Sequence, residues 1–456
     1  MTVENEASID QSEIQNRMAE DRWLWRGALG CLILAGLTGV LFRFGLRYGF
    51  TMGLDLGNVR HAHSHLMYLG WVTPVLFTLI ARQLSAFTGQ PVSPTMKGII
   101  WATIGGALVA YPLFMAFGYQ SVALGEARVP PAAVAAGLNM VVWYGFVVLY
   151  GRARRGRART RTLLLWDLAL AFLVLASLGA WGLSMLKPLG IDDPAWAKGL
   201  THLFLDLFSE GWFVLAVLSL AYATLKPGVR TAGHWSLWLI CLGLPVTFAL
   251  GMPASLVPPV LKAAARLGSL LVAVGLLVNV WILWGAFEKG RAGDCLRKGE
   301  REKGRGGEET RFSWPQALRS LLPFELRGLW PIPLALLGAK LVVQLVLSLW
   351  PGVWWAELHS LRVFYLHLML LGFVTLGLVA AATHIWGRAA TRGRLWLYAT
   401  VLLVIASLLP LTPVWPMAWR GSWILTAAAW IALTPVAAAV WMLLKGRFYE
   451  SESRRT

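Results

Sequence analysis

The stretch RHAHSHLMYLGWV, residues 60–72, sets three histidines, His61, His63 and His65, at the mouth of a run that is otherwise largely apolar to residue 81. Imidazole is costly in hydrocarbon and is rarely found there without a partner. What these three rings do depends on the depth of the run in a bilayer, and that depth follows from the rest of the chain.

With 57% hydrophobic and only 14% charged residues, and a mean hydropathy of +0.60, the 456-residue chain lies outside the range of soluble globular domains. Apolar runs long enough to cross a roughly 30 Å hydrocarbon layer recur from end to end, parted by short loops rich in Arg, Pro or Gly. The fold class that follows is an all-α polytopic membrane protein of twelve transmembrane helices. They lie near residues 24–48, 61–84, 98–118, 132–151, 163–187, 198–225, 234–252, 264–287, 329–350, 358–386, 395–412 and 421–444. GMPASLVPPVLKAAARLG (251–268) blurs the boundary between the seventh and eighth, because part of it can itself be helical.

A formal charge of +18 would suit a nucleic-acid partner, but the basic residues collect in particular loops. GRARRGRARTR (151–161) follows the fourth run and the insert 289–327 follows the eighth. GRAATRGR (387–394) follows the tenth, and Lys445, Arg447, Arg454 and Arg455 follow the twelfth. By the positive-inside rule every even-numbered exit is cytoplasmic, as are both termini, and lipid rather than nucleic acid is the implied partner. The chain then divides into a cytoplasmic segment 1–23, helices one to eight over 24–287, a basic cytoplasmic loop 288–328, helices nine to twelve over 329–445, and a tail 446–456. The acidic start MTVENEASIDQSEIQ lacks the pattern of a cleavable secretory signal, so the first helix is expected to persist in a multi-pass protein of a cell inner membrane. Cys31, Cys241 and Cys295 form no CxxC pattern and imply neither disulfide nor thiolate metal site.

Since even helices run inward, each begins at its outer end. His61, His63 and His65 therefore open helix two, His202 opens helix six, and His359 and His367 occupy the first half of helix ten. Six imidazoles from three helices share the outer half of the membrane, whereas His234 and His384 lie near the inner surface. Two segments also echo each other: HLMYLGWVT (65–73) and HLMLLGFVT (367–375) match at His, Leu, Met, Leu, Gly, Val and Thr, so helices two and ten can face each other across a shared ligand. At about 100° per residue, His61 and His65 share one helix face and His63 points nearly opposite.

These residues resemble subunit I of the haem-copper oxidase and nitric oxide reductase superfamily. Its second helix bears a low-spin haem ligand followed by Met and Val-x-Pro, a pattern similar to His63, Met67, Val72 and Pro74 here. Its tenth helix bears the opposite ligand with a second histidine seventeen residues on, as His367 and His384 stand here. The resemblance implies an oxidase-like twelve-helix bundle and a low-spin haem b held by His63, with His65 as the alternative, and His367. It implies an electron-donor protein or quinol, and accommodates another respiratory subunit as partner. Arg60, Arg362 and Arg420 fall on the side where the family's propionates point, with Arg362 and Arg420 the favoured contacts.

The sequence also departs from the family. Tyr365 stands where the ligand of a second, high-spin haem would be; a phenolate can ligate ferric iron, and an aromatic at the membrane interface is the plainer role. The adjacent histidines that help bind copper on helix seven have no counterpart, so an altered or degraded binuclear centre is expected, with second haem, copper and non-haem iron left open. On helix six, THLFLDLFSEGWF sets His202, Asp206 and Glu210 along one face. They are the candidate catalytic groups: HLFLD is similar to the His-x-x-x-Glu of nitric oxide reductases, and with His359 and His202 as further candidate ligands it could serve iron, a proton path, or a polar tie between helices. A transporter moving protons or cations through the same His/Asp/Glu cluster is the rival to redox chemistry on oxygen or nitric oxide.

Overall fold

The computed structural model describes residues 3–226, 234–303, 326–350, 352–419 and 421–447. Eleven of its helices are long and apolar enough to cross a membrane, which makes the chain an all-α, multi-pass protein. They are α1 (Glu20–Tyr48), α2 (Leu56–Thr88), α3 (Pro94–Phe117), α4 (Pro131–Arg154), α5 (Arg161–Leu186), α6 (Pro194–Leu225), α8 (Pro259–Lys289), α9 (Pro331–Leu349), α10 (His359–Ala390), α11 (Arg394–Leu411) and α12 (Ser422–Lys445). The expected seventh crossing is instead a shorter apolar helix, α7 (His234–Val246). Pro245 falls in its closing 3-10 turn, and Pro253 follows the next short helical turn, Phe248–Gly251, so no regular helix runs on through residue 252. α1 begins earlier than expected, its helix opening at Val3, and the α8 helix continues to Lys303, through stretches that composition read as a tail and a loop.

Local chemistry sets the helix starts. Ser93 accepts the Met96 N–H ahead of Pro94, and Asp193 accepts the Ala195 N–H ahead of Pro194, so a cap precedes a proline whose missing N–H costs nothing in the first turn. Asp55 caps α2 through the Asn58 N–H, just ahead of the histidine cluster. A two-stranded hairpin, β1 (Val122–Leu124) and β2 (Ala127–Val129), turns at Gly125 with φ +64° between α3 and α4.

Three helices form the centre. In α2, α6 and α10 the membrane-length windows are 78, 72 and 67% buried, against 33–56% for the other eight, so the remaining helices shield these three from lipid. Their C-terminal halves pack against one another. Each also contains a π-helical segment: Leu66–Val72 in α2, Leu207–Val214 in α6 and Leu368–Thr375 in α10. A π turn holds one extra residue, rotates the two halves of a helix relative to each other and recurs at functional sites. Tryptophans in two of them tie the triad together: Trp71 Nε1 donates to Thr375 Oγ1 at 3.3 Å, and Trp212 Nε1 to Thr73 Oγ1 at 3.5 Å. The echoed segments of α2 and α10 thus share a backbone irregularity as well as residues, each beginning directly after its histidine, His65 or His367.

Candidate functional site

Two clusters occupy the half of the bundle that the charge pattern assigns to the outside. The first is built by α1, α2 and α10. His63 Nδ1 lies 2.7 Å from the Ala35 carbonyl oxygen on α1, and His367 Nδ1 lies 2.7 Å from the Val363 carbonyl one turn back on α10. A carbonyl only accepts, so in each ring Nδ1 carries the hydrogen and Nε2 is the nitrogen with the free lone pair. Neither Nε2 has a hydrogen-bond partner among the described residues. His63 lies within electrostatic reach of His367, and Arg43 of α1 within reach of both. Arg43 also donates to the Ala428 carbonyl of α12 at 3.2 Å, which anchors it beside the pair. α1 admits the His63 ring because residue 39 is glycine: a Cβ there would stand 2.9 Å from Cε1 and 3.0 Å from Nδ1.

His65 is placed differently. Its Nδ1 is 2.9 Å from the His61 carbonyl, its Nε2 is 3.0 Å from the Tyr119 hydroxyl, and its ring stacks on Phe114 at 3.8 Å. With both nitrogens engaged and the ring turned to α3, His65 has no lone pair to offer iron. His61 packs edge-on against the same Tyr119. The helical geometry that sets His63 opposite His61 and His65 is therefore present, and the inward member is His63.

The second cluster lies between α6, α8, α9 and α10. Lys340 of α9 is wholly buried, and its Nζ contacts Glu210 Oε1 at 2.9 Å and Gln344 Oε1 at 2.6 Å. The Tyr365 hydroxyl donates to Glu210 Oε1 at 2.7 Å and lies 3.2 Å from Gln344 Oε1, while the Lys340 ammonium sits 4.8 Å from the Tyr365 ring centre. Gln344 donates in turn to the carbonyl and hydroxyl oxygens of Ser269 on α8, both at 3.1 Å. Asp206, one turn before Glu210, lies 3.2 Å from Thr247 Oγ1. Glu210 Oε2 is buried and has no hydrogen-bond partner among the described residues. Such a pair survives in a dry interior only because each charge is met by the other and by neutral dipoles.

Several expected ligands are not arranged as such. Tyr365 spends its hydroxyl on Glu210 and Gln344 rather than presenting it to iron. His202 has cations for company: Lys198 and Arg362 are its electrostatic neighbours, and they line with it a cleft of about 390 Å³ that also includes Ser255 and Glu357. His359 is exposed at the first turn of α10. Among the described residues no three His, Cys, Asp or Glu side chains are grouped to hold a metal ion, and of the helix-six residues His202, Asp206 and Glu210 it is Glu210 that forms an ion pair with Lys340. Arg362 lies within reach of Asp206 and His202, and the arginine facing the His63–His367 pair is Arg43; Arg420 lies outside the described residues.

Arg43, Lys340, Gln344 and Tyr119 escape the sequence reading. The first two carried a usable signal, being charges inside apolar runs, where an ionisable residue marks a site or a partner by default. No protein-family model and no curated protein matches this chain.

Proposed function

We propose that the protein is an integral-membrane haem b protein of the haem-copper oxidase and nitric oxide reductase type, in which His63 and His367 hold one low-spin haem and pass single electrons. The observation that carries this reading is the pair of imidazoles from different central helices, each with Nδ1 on a backbone carbonyl at 2.7 Å and Nε2 left without a partner. That arrangement is what axial ligation asks of a histidine: the carbonyl fixes tautomer and ring orientation and raises the basicity of the ligating nitrogen. The donor set fits the group. Held by His63 and His367, a haem would supply one-electron chemistry. The chain's own part is to orient both rings, to hold the Arg43 guanidinium where it offsets anionic substituents, and to keep the pair between helices away from bulk water.

The Lys340 ammonium, seated against Glu210 beside Tyr365, supports an altered centre on the α6 side, because a buried cation there opposes a second metal ion. We read oxygen- or nitric-oxide-related redox chemistry, an electron-donor protein or quinol and an inner-membrane location as parts of the same proposal. The rival, a proton- or cation-coupled transporter, draws on one observation, the membrane-buried Glu210–Lys340 pair with Asp206 beside it. An optical spectrum of the purified, dithionite-reduced protein with metal analysis decides between them. The expected result is a sharp b-type α band that carbon monoxide leaves unchanged. A folded, colourless, iron-free protein would favour the transporter.

A further inference from the structure

Where the first turns of α6 and α10 meet the loops beside them, the bundle opens a cleft of about 390 Å³ that neither the imidazole pair nor the Lys340 cluster uses. α6 contributes Lys198 and His202 to it, and α10 contributes Arg362. The 3-10 turns Ala254–Leu256 and Trp355–Glu357 line the remaining sides. His202 and Arg362 are half-buried, whereas Lys198, Ser255 and Glu357 are exposed at the rim. Charged side chains are costly against hydrocarbon, so a rim of this kind opens to water. The space depends on Gly251, against which the His202 ring lies: a Cβ there would stand 2.5 Å from Cγ and 2.7 Å from Cε1 and would force the ring off its seat.

The lining suits an anion of a particular kind. Among the described residues the Arg362 side chain makes no hydrogen bond and no ion pair; Asp206 is within its electrostatic reach only. A guanidinium left in this state offers a planar fork of N–H donors that matches a carboxylate. Lys198 and Arg362 are both electrostatic neighbours of His202, and two cations held this close repel each other until an anion joins them. Glu357 sets the limit on charge: two cations and one carboxylate leave a single positive charge in the lining, which accepts a monoanion and opposes a dianion. Pro253, Ala254 and Ala356 add apolar surface, and the volume falls at the lower end of small-molecule sites, roughly 300–1,000 Å³. We propose that this cleft binds a small organic monocarboxylate from the aqueous phase, with the carboxylate on Arg362 and Lys198 and a short hydrocarbon body against the alanines. The site stands whether or not the protein holds haem.

Saturation-transfer NMR on the full-length protein in discs of a neutral lipid tests it, with butyrate as the probe, n-butanol as its uncharged counterpart and sulfate as the dianion. Butyrate is expected to bind saturably, butanol is not, and sulfate at equal ionic strength should not displace butyrate. Arg362→Gln should weaken butyrate binding by about tenfold or more, the loss of a charge-assisted contact. Arg392→Gln, at an exposed arginine in the basic turn after α10, should leave it unchanged. Gly251→Ala keeps every charge and should weaken binding by moving His202. Lys198→Gln, at the exposed rim, should also weaken it and serves if Arg362→Gln does not fold. Binding should persist in His63→Ala, which separates this site from the haem reading. Absence of butyrate binding, equal binding of butanol, displacement by sulfate, dependence on His63, or indifference to the Arg362, Lys198 or Gly251 substitutions would each overturn the proposal.

Discussion

His63 and His65 are two residues apart on one helix, yet one keeps a nitrogen free and the other spends both. Such distinctions depend on partners distant in sequence: Ala35 precedes His63 by 28 residues and Tyr119 follows His65 by 54. Glycine 39 is the residue most exposed to test. Gly39→Val would press into the His63 ring and should weaken haem retention by about tenfold or more, the usual cost of disturbing a ligand's support. Gly30→Val, on the same helix but facing open space, should leave it unchanged. Haem retained per chain after gel filtration gives the comparison. The Lys340–Glu210 pair makes a second residue-scale prediction. Glu210→Gln strands a wholly buried ammonium and should lower stability by about 3–5 kcal/mol, while the double variant Lys340→Met/Glu210→Gln should recover most of that loss. Thermal unfolding in detergent would show it; a double variant no more stable than the single one would mean that the pair does not act as a unit.

At the scale of elements, hydropathy located the crossings well because a membrane helix needs length and apolarity and little else. α2, α6 and α10 were singled out by their histidines, and they are also the three most buried of the membrane-length helices. Their π segments were invisible, since one extra residue in a turn leaves no mark on composition. The seventh crossing was overdrawn because apolar residues continue past Pro245, whereas the regular helix gives way there to a 3-10 turn and the short helix Phe248–Gly251. Lys340 and Arg43 were legible as anomalies, but their partners, Glu210 and Ala428, come from helices that only the fold brings alongside. The π segment of α10 predicts its own perturbation. Deleting Leu371 from Leu368–Thr375 should restore regular α geometry and turn His367 by about 100° relative to the inner half of the helix. Membrane insertion should survive while haem binding is lost, which fractionation and absorbance would separate; unchanged haem binding would deny the segment any part in aiming the ring.

For the molecule as a whole, the His63–His367 pair and the Lys340–Glu210 cluster lie toward one end of the central triad, and the basic turns after α4 and α10 lie toward the other. The sidedness follows from charge placement and has a direct test. With the native cysteines replaced, single cysteines at Gly125, in the hairpin after α3, and Gly156, in the basic turn after α4, should label from opposite faces of the membrane. The first should react with an impermeant thiol reagent in intact cells and the second only after permeabilisation. The reverse pattern would invert the topology and place the His63–His367 pair near the cytoplasm.

The decisive measurement is the haem-to-protein ratio of the native chain beside His63→Ala, His367→Ala and His65→Ala, each purified as a folded protein. One haem per native chain, strongly depleted in the first two variants and intact in the third, is the predicted result. Full haem in His367→Ala, or its loss in His65→Ala alone, would contradict the assignment of His63 and His367 to one iron.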